Sequence, residues 1–455
     1  MNTELWDKIL HFDFDDPPSE YGFTTRLANE NYWTKAFTDL AILEYKKFMY
    51  LAATSEMMVS PSEIVDIVWH QHLIFTQSYQ SFCTLLGKQI QHIPSTHNRD
   101  EFEKFSQAKE RTQKLYSTIF GEQPKSIWEF HGMFESLNLE KSKFKIRTFL
   151  VFGILGFIAL IMPFYFLLKP FYVEINNPYF VIGFIALCIF TFAGLEFYNR
   201  KALKNIARGF NQDSFIYQLE PYELVYLKTQ KLDNIINGTM NELIDKNIIF
   251  INPDKTIDLL KSKKVNSPKE LQTITTLEEL GRTNYSTLLR QLMKKPIFWN
   301  TVKWADSFKK YINKSKKFGN LFYTNFVVLS VLLMFGLVRL ATGISREKPV
   351  FQILILTVVL IVLMVYYLNR LTNLTCEQII PDLYKTEILP RRPIQDHWQW
   401  QYFLTGSAVL TAAFIPVISY TEKSNSFGGD SGSSSSCGSS CGSSCSSCGG
   451  CGGGD

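Results

Sequence analysis

The chain has 455 residues, of which 46% are hydrophobic and 15% aromatic, and its formal net charge is +5. So small a charge argues against a nucleic-acid partner, because neutralising a phosphate backbone needs a concentrated basic surface. Polar stretches alternate with long apolar blocks, and that division excludes a wholly soluble chain. The opening run MNTELWDKILHFDFDD is acidic and has no apolar core segment, so no cleavable signal peptide is expected there.

Residues 1–146 are expected to form a soluble helical domain. Its clearest element is SPSEIVDIVWHQHLIFTQSYQSFCTLLG, read as one helix with Ser60 as N-cap and Pro61 at the first helical position. Glu63 lies three residues after the cap, which completes a capping box, and Gly87 suits the C-terminal cap. His70 and His72 are two residues apart, so they differ by about 200° in direction on a helix and serve different faces. Asp66 and His70 are one turn apart and can share a site. A metal centre there uses Asp66, His70 and a residue distant in sequence, His92 or His131. The competing structural reading packs His72 in the core and lets Asp66 hold the His70 imidazole. A Cys–His catalytic pair is not expected, because His72 and Cys83 would lie about 16 Å apart along a single helix.

Four stretches meet the length of about 20 apolar residues that a membrane span requires. They are 148–168, 178–198, 321–341 and 350–368. A fifth, 402–420, is also expected to span, although it carries Thr, Ser, Gly and Pro416. Lys141, Lys143, Lys145 and Arg147 precede the first span, and Arg200, Lys201, Lys204 and Arg208 follow the second. Lys309, Lys310, Lys314, Lys316 and Lys317 precede the third, with Arg391 and Arg392 ahead of the fifth. The positive-inside rule then places the N-terminus in the cytoplasm, and five spans place the C-terminus outside it.

Between the span pairs, residues 199–318 form a cytoplasmic insert. Pro221 opens one helix, and LDNIINGTMNELIDK places Leu232, Ile235, Ile236, Thr239, Met240, Leu243 and Ile244 on one helical stripe. IIFI, the turn NPDK and TIDLL read as a hairpin, so the insert is winged-helix-like. Its second helix carries Asp233, Glu242 and Asp245, a poor match to phosphate, so a protein-contact role is expected over DNA binding. The basic aromatic stretch FWNTVKWADSFKKYINKSKKFG follows, either lying along the anionic leaflet or packed as a helix feeding the membrane.

The chain ends in a Gly/Ser-rich tail with Cys437, Cys441, Cys445, Cys448 and Cys451 at three- and two-residue spacings. Such a tail buries no core and reads as disordered. Thiolates at these spacings on a flexible chain can wrap a soft metal, Zn or Cu(I). Outside the cytoplasm they would meet oxidants, and their odd number raises inter-chain disulfide pairing, a free thiol or modification. In the cytosol, a metal or modification site is the better reading.

Two resemblances add to this. The segment VDIVWHQHLIFTQSYQSFC with the following LGKQIQH resembles the amino-terminal Trp-His-x-His segment of glycine-rich-domain proteins, over residues 60–95. Pro221, Tyr222, Glu223, Tyr226 and Leu227, with the paired spans and the Cys/Gly-rich end, resemble a bacterial family of multi-spanning membrane proteins, over residues 200–455. Where those proteins continue into glycines, this chain runs Lys228, Thr229, Gln230. The second resemblance implies a bacterial inner membrane and an architecture; neither implies an activity.

The expected organisation is therefore an all-α membrane protein: a helical domain (1–146), a span pair (147–198), the insert (199–318), a second pair (319–368), a cytoplasmic loop (369–401), a fifth span (402–420) and the tail (421–455). The expected function is that of a non-enzymatic membrane protein whose partner is the bilayer and whose thiol-rich tail binds soft metal, cross-links or is modified. The alternatives are a membrane-tethered sensor or scaffold with a cytoplasmic protein partner, and a metal-dependent enzyme using the Trp-His-x-His region.

Overall fold

A computed structural model describes residues 2–93, 99–260, 265, 267–392 and 397–427. Cys437 to Cys451 lie outside the described residues. The amino-terminal part is helical: α1 (Thr3–His11), α2 (Phe23–Asn31), α3 (Lys35–Thr54), α4 (Glu63–Ile74), α5 (Thr76–Leu86), α6 (Arg99–Phe120) and the single turn α7 (Lys125–Trp128). Two apolar helices follow, α8 (Ile146–Glu174) and α9 (Asn177–Arg208).

The insert holds α10 (Pro221–Thr229), α11 (Leu232–Asp245), β1 (Ile249–Ile251), β2 (Thr256–Leu259), α12 (Pro268–Leu280), β3 (Thr283–Asn284), α13 (Tyr285–Leu292) and α14 (Pro296–Asn313). Two more apolar helices are α15 (Lys316–Ser345) and α16 (Phe351–Leu374). The latter runs on through π turns and α17 (Ile380–Leu383) to Arg391. The described chain closes with α18 (Trp398–Thr405) and α19 (Ile415–Phe427).

The stripe expected on α11 is the one that packs. Leu232, Ile235, Ile236, Thr239, Met240 and Leu243 are buried, and Ile244 is partly so. The expected hairpin is present with antiparallel register Ile249↔Leu259 and Ile251↔Ile257. A third strand, β3, adds to it on the β2 side, which the sequence pattern had not indicated. The α14 stretch lies against protein: Phe298, Trp304, Phe308 and Ile312 are buried.

Two expectations about local structure are corrected. The helix expected from Pro61 to Gly87 is two helices broken at Phe75, whose ψ of 65° lies outside the helical range. Its cap is Ser62, whose hydroxyl accepts from the Val65 N–H, and neither Ser60 nor Pro61 is in the helix. The closing Gly87 does cap α5, with φ of +69°.

The second correction concerns 402–420, which is not one helix. α18 stops at Gly406 (φ +71°), a 3-10 turn covers Gly406–Val409, and α19 begins only at Ile415. Tyr402, Phe403, Leu410, Phe414 and Val417 are buried. Their polar partners belong to the insert: the Tyr402 hydroxyl donates to the Asn234 carbonyl at 2.9 Å, and the Thr411 N–H donates to Asn241 Oδ1 at 2.7 Å. Tyr285 meets Phe414 edge-on. A Gly/Ser/Thr-rich break between two short apolar pieces lets the segment fold back over α11.

Among the described residues, four helices are long and apolar enough to cross a membrane. α15 is their hub, with α8, α9 and α16 packed against it. At the end of this bundle nearest the insert, Asn199 and Asn325 exchange amide hydrogen bonds (2.8 and 2.7 Å), and Asn199 also donates to the Tyr367 hydroxyl. Arg370 grips Glu196 through two nitrogens at 2.8 and 3.1 Å, so the acidic group inside α9 has its counter-ion. At the opposite end, Arg339 and Arg346 donate to carbonyls of Ile175 and Val173, satisfying the free C-terminus of α8.

The amino-terminal helices and the insert share one buried core. Lys295 pairs with Glu20 at 2.7 Å, and Asn300 donates to the Trp33 carbonyl. Glu223 lies between the two parts, accepting from the Lys35 N–H at 3.1 Å and from the Glu220 N–H at 2.9 Å. One carboxylate thus serves the first turns of both α3 and α10.

Candidate functional site

α4 separates its two histidines as the helical angle requires. His72 is fully buried, with Nδ1 on the Tyr45 hydroxyl (2.9 Å), Nε2 on the Ser78 hydroxyl (3.1 Å), and the rings of Phe14, Tyr79 and Phe82 around it. Burial pushes its pKa down to about 3, so the ring stays neutral. The break at Phe75 swings α5 back so that Tyr79 and Phe82 reach this imidazole, which a single straight helix would have prevented. The Trp69 indole N–H donates to the Tyr79 hydroxyl at 3.1 Å, and that hydroxyl donates to the Ile90 carbonyl at 2.5 Å. This relay anchors residues 88–93 beside α4.

Anchoring that segment delivers His92. Its Nε2 lies 2.8 Å from Asp66 Oδ1, while His70 Nε2 lies 3.3 Å from Asp66 Oδ2. The two imidazoles are 4.4 Å apart at their centroids, and Trp69 stands edge-on to His92 at 4.6 Å. One donor atom from each of Asp66, His70 and His92 falls within 4.8 Å of the others. Of the two distant residues the sequence offered as third partner, His92 arrives and His131 does not; His131 pairs with Glu63 at 2.6 Å. The side chains are graded in exposure, His92 at 15%, Asp66 at 37% and His70 at 57%.

Asp66, Trp69 and His92 form one wall of a cleft of about 500 Å³, with Lys88 and Phe105 among its other lining residues. The Lys88 ammonium donates to the carbonyls of Ala52 and Ser55, closing the C-terminus of α3. Two imidazoles and a carboxylate, with His92 and Asp66 on the cleft wall and His70 exposed beside it, are a nitrogen- and oxygen-donor set suited to a first-row transition metal. Cys83 is buried in the core and takes no part.

Sequence reasoning missed the buried carboxylates. Glu44 is 1% exposed and is held by the Tyr116 hydroxyl (2.8 Å), the Trp128 indole (2.7 Å) and Lys47 (2.8 Å), tying α3 to α6 and α7. Glu223 is driven up to about 7 by burial, and Glu220's charge pushes in the same direction. Glu44 lies in the buried stripe of α3, the one signal that a charged residue there needed partners.

A mostly helical chain with four helices of membrane-crossing length is consistent with an integral membrane protein. Residues 25–118 match a family model described as UCP032817-like, a stretch that runs from α2 into α6 and contains Asp66, His70, His72 and His92. No curated protein and no solved structure shows detectable similarity to the chain.

Proposed function

We propose that the chain is a non-enzymatic binding platform of a bacterial inner membrane, with its helical body and its thiol-rich tail in the cytoplasm. The observation that carries this reading is the folded-back 402–420 segment. Without a fifth span the count among the described residues is even, which supports both ends of the chain lying on one face of the bilayer. Lys141 to Arg147, Arg200 to Arg208 and Lys309 to Lys317 flank the spans on the body's side, and the positive-inside rule makes that side cytoplasmic. In a reducing compartment the tail thiols remain available to Zn or Cu(I), or to modification, in place of disulfides.

The insert acts as a winged-helix-like protein-contact unit within this platform. The face of α11 carrying Asn241 and Asp245 is covered by the Thr411 region, which supports contact with protein over entry into a DNA groove. A membrane-impermeant maleimide tests the arrangement. The tail thiols should stay unlabelled in intact spheroplasts and react in inverted vesicles. Labelling in spheroplasts would restore an odd number of spans and move the tail outside.

A further inference from the structure

We propose that Asp66, His70 and His92 bind a divalent first-row transition-metal ion whose remaining coordination positions open into the cleft beside Trp69. Ligand bonds of about 2.0–2.1 Å place neighbouring donors about 3.3 Å apart in a tetrahedral site. The two carboxylate-to-imidazole distances are 2.8 Å to Oδ1 and 3.3 Å to Oδ2, one shorter than that value and one matching it, and all three donors already lie within 4.8 Å. Small rotations of the exposed His70 ring complete the approach, while the carboxylate and His92 move little.

The donor types decide the class of ion. Calcium and magnesium prefer all-oxygen shells, whereas two imidazoles favour zinc, cobalt, nickel or iron(II). Binding gives up the hydrogen bond between His92 Nε2 and Asp66 Oδ1, and the neutral ring coordinates through Nε2 as its Nδ1–H tautomer. Two of the ligands come from α4 and one from the segment after α5, and of the three Asp66 and His92 line the cleft while His70 stands exposed beside it. The opposite side of the ion therefore faces the cleft, where water or a small anion takes the open positions, as at zinc sites with three protein ligands.

The Trp69–Tyr79–Ile90 relay has a second consequence. It holds residue 92 in place before any ion arrives, so the site is preorganised and affinity is not spent on ordering a loop. This proposal stands apart from the topology of the tail. An ion at α4 fails or succeeds whichever side Cys437 to Cys451 occupy.

The test uses the full-length protein in detergent with the five tail cysteines changed to serine, so that tail thiols do not compete. Titration with Co²⁺ should give visible bands that saturate at one equivalent, and Zn²⁺ should displace them. His70→Gln and Asp66→Asn should each weaken binding by more than about tenfold. His131→Gln should leave binding unchanged, and unaltered apo melting curves show that the variants fold. Added azide should shift the bands if positions are open. Binding that survives His70→Gln and Asp66→Asn, or absence of saturable bands, overturns the site. Bands indifferent to azide overturn its openness.

Discussion

The α9 helix and the 402–420 segment have similar apolar character in sequence and opposite fates in the fold. α9 runs unbroken from Asn177 to Arg208 and presents Phe190 and Phe197 outward, at 76% and 73% exposure. The 402–420 segment is interrupted at Gly406 and turns Phe403 and Phe414 inward to full burial. Length and hydrophobicity are necessary for a span, but a continuous helix is what satisfies the backbone in lipid. A broken apolar segment has unpaired backbone groups, and here the insert supplies partners for them: Asn241 Oδ1 accepts from the Thr411 N–H, and the Lys228 ammonium donates to the Phe403 carbonyl.

The largest expected effect sharpens this contrast directly. Phe414→Ala should cost about 3–5 kcal/mol in unfolding measurements on the detergent-solubilised protein, because it empties a filled site beside Tyr285. A loss under about 1 kcal/mol would mean that the segment leaves the insert in the membrane.

Next in size is the response to acid. His72 titrates near 3 when folded and near 6.5 when unfolded, so below about 6.5 the unfolded state takes up a proton that the folded state refuses. The His72 contribution to stability should fall as pH drops through this window, by about 3 kcal/mol at pH 4. Glu223 has the opposite sign: its folded pKa of about 7 lies above its ordinary 4.5, so stability is lost as pH rises between them. The two slopes offset each other from about 4.5 to 6.5. Glu223→Gln should unmask a rise in stability with pH across that range, read from melting temperatures. A profile that stays flat in Glu223→Gln would show that His72 does not carry the acid sensitivity.

The smallest effect completes the comparison. Phe190→Ala should change stability by no more than about 0.5 kcal/mol, since the side chain already faces outward. A cost equal to that of Phe414→Ala would place a protein surface, not lipid, against α9.

Legibility in the sequence followed the range of the interaction. The α11 stripe and the hairpin register were readable because both are local periodicities, and the structure buries Ile235, Ile236 and Met240 as the pattern requires. The opposite placement of His70 and His72 was readable for the same reason. The break at Phe75 was not, because FTQSYQ holds no Gly or Pro to mark it; the turn lets Tyr79 and Phe82 close on His72. The candidate site was half legible. Asp66 and His70 follow from helical spacing, whereas choosing His92 over His131 depended on where the chain returns after α5.

By itself, then, the sequence determined the four apolar helices, the alternating polar segments and the local faces of α4 and α11, since each depends only on residues within a few turns. The tertiary structure alone decided that Glu44 and Glu223 are buried with partners, that His92 reaches Asp66, and that 402–420 folds onto the insert. Those outcomes depend on contacts between residues distant in sequence. In the last case, burying Phe403 and Phe414 against α10 and α13 while hydrogen-bonding the broken backbone to α11 satisfies both the apolar side chains and the polar main chain, which crossing the bilayer would not.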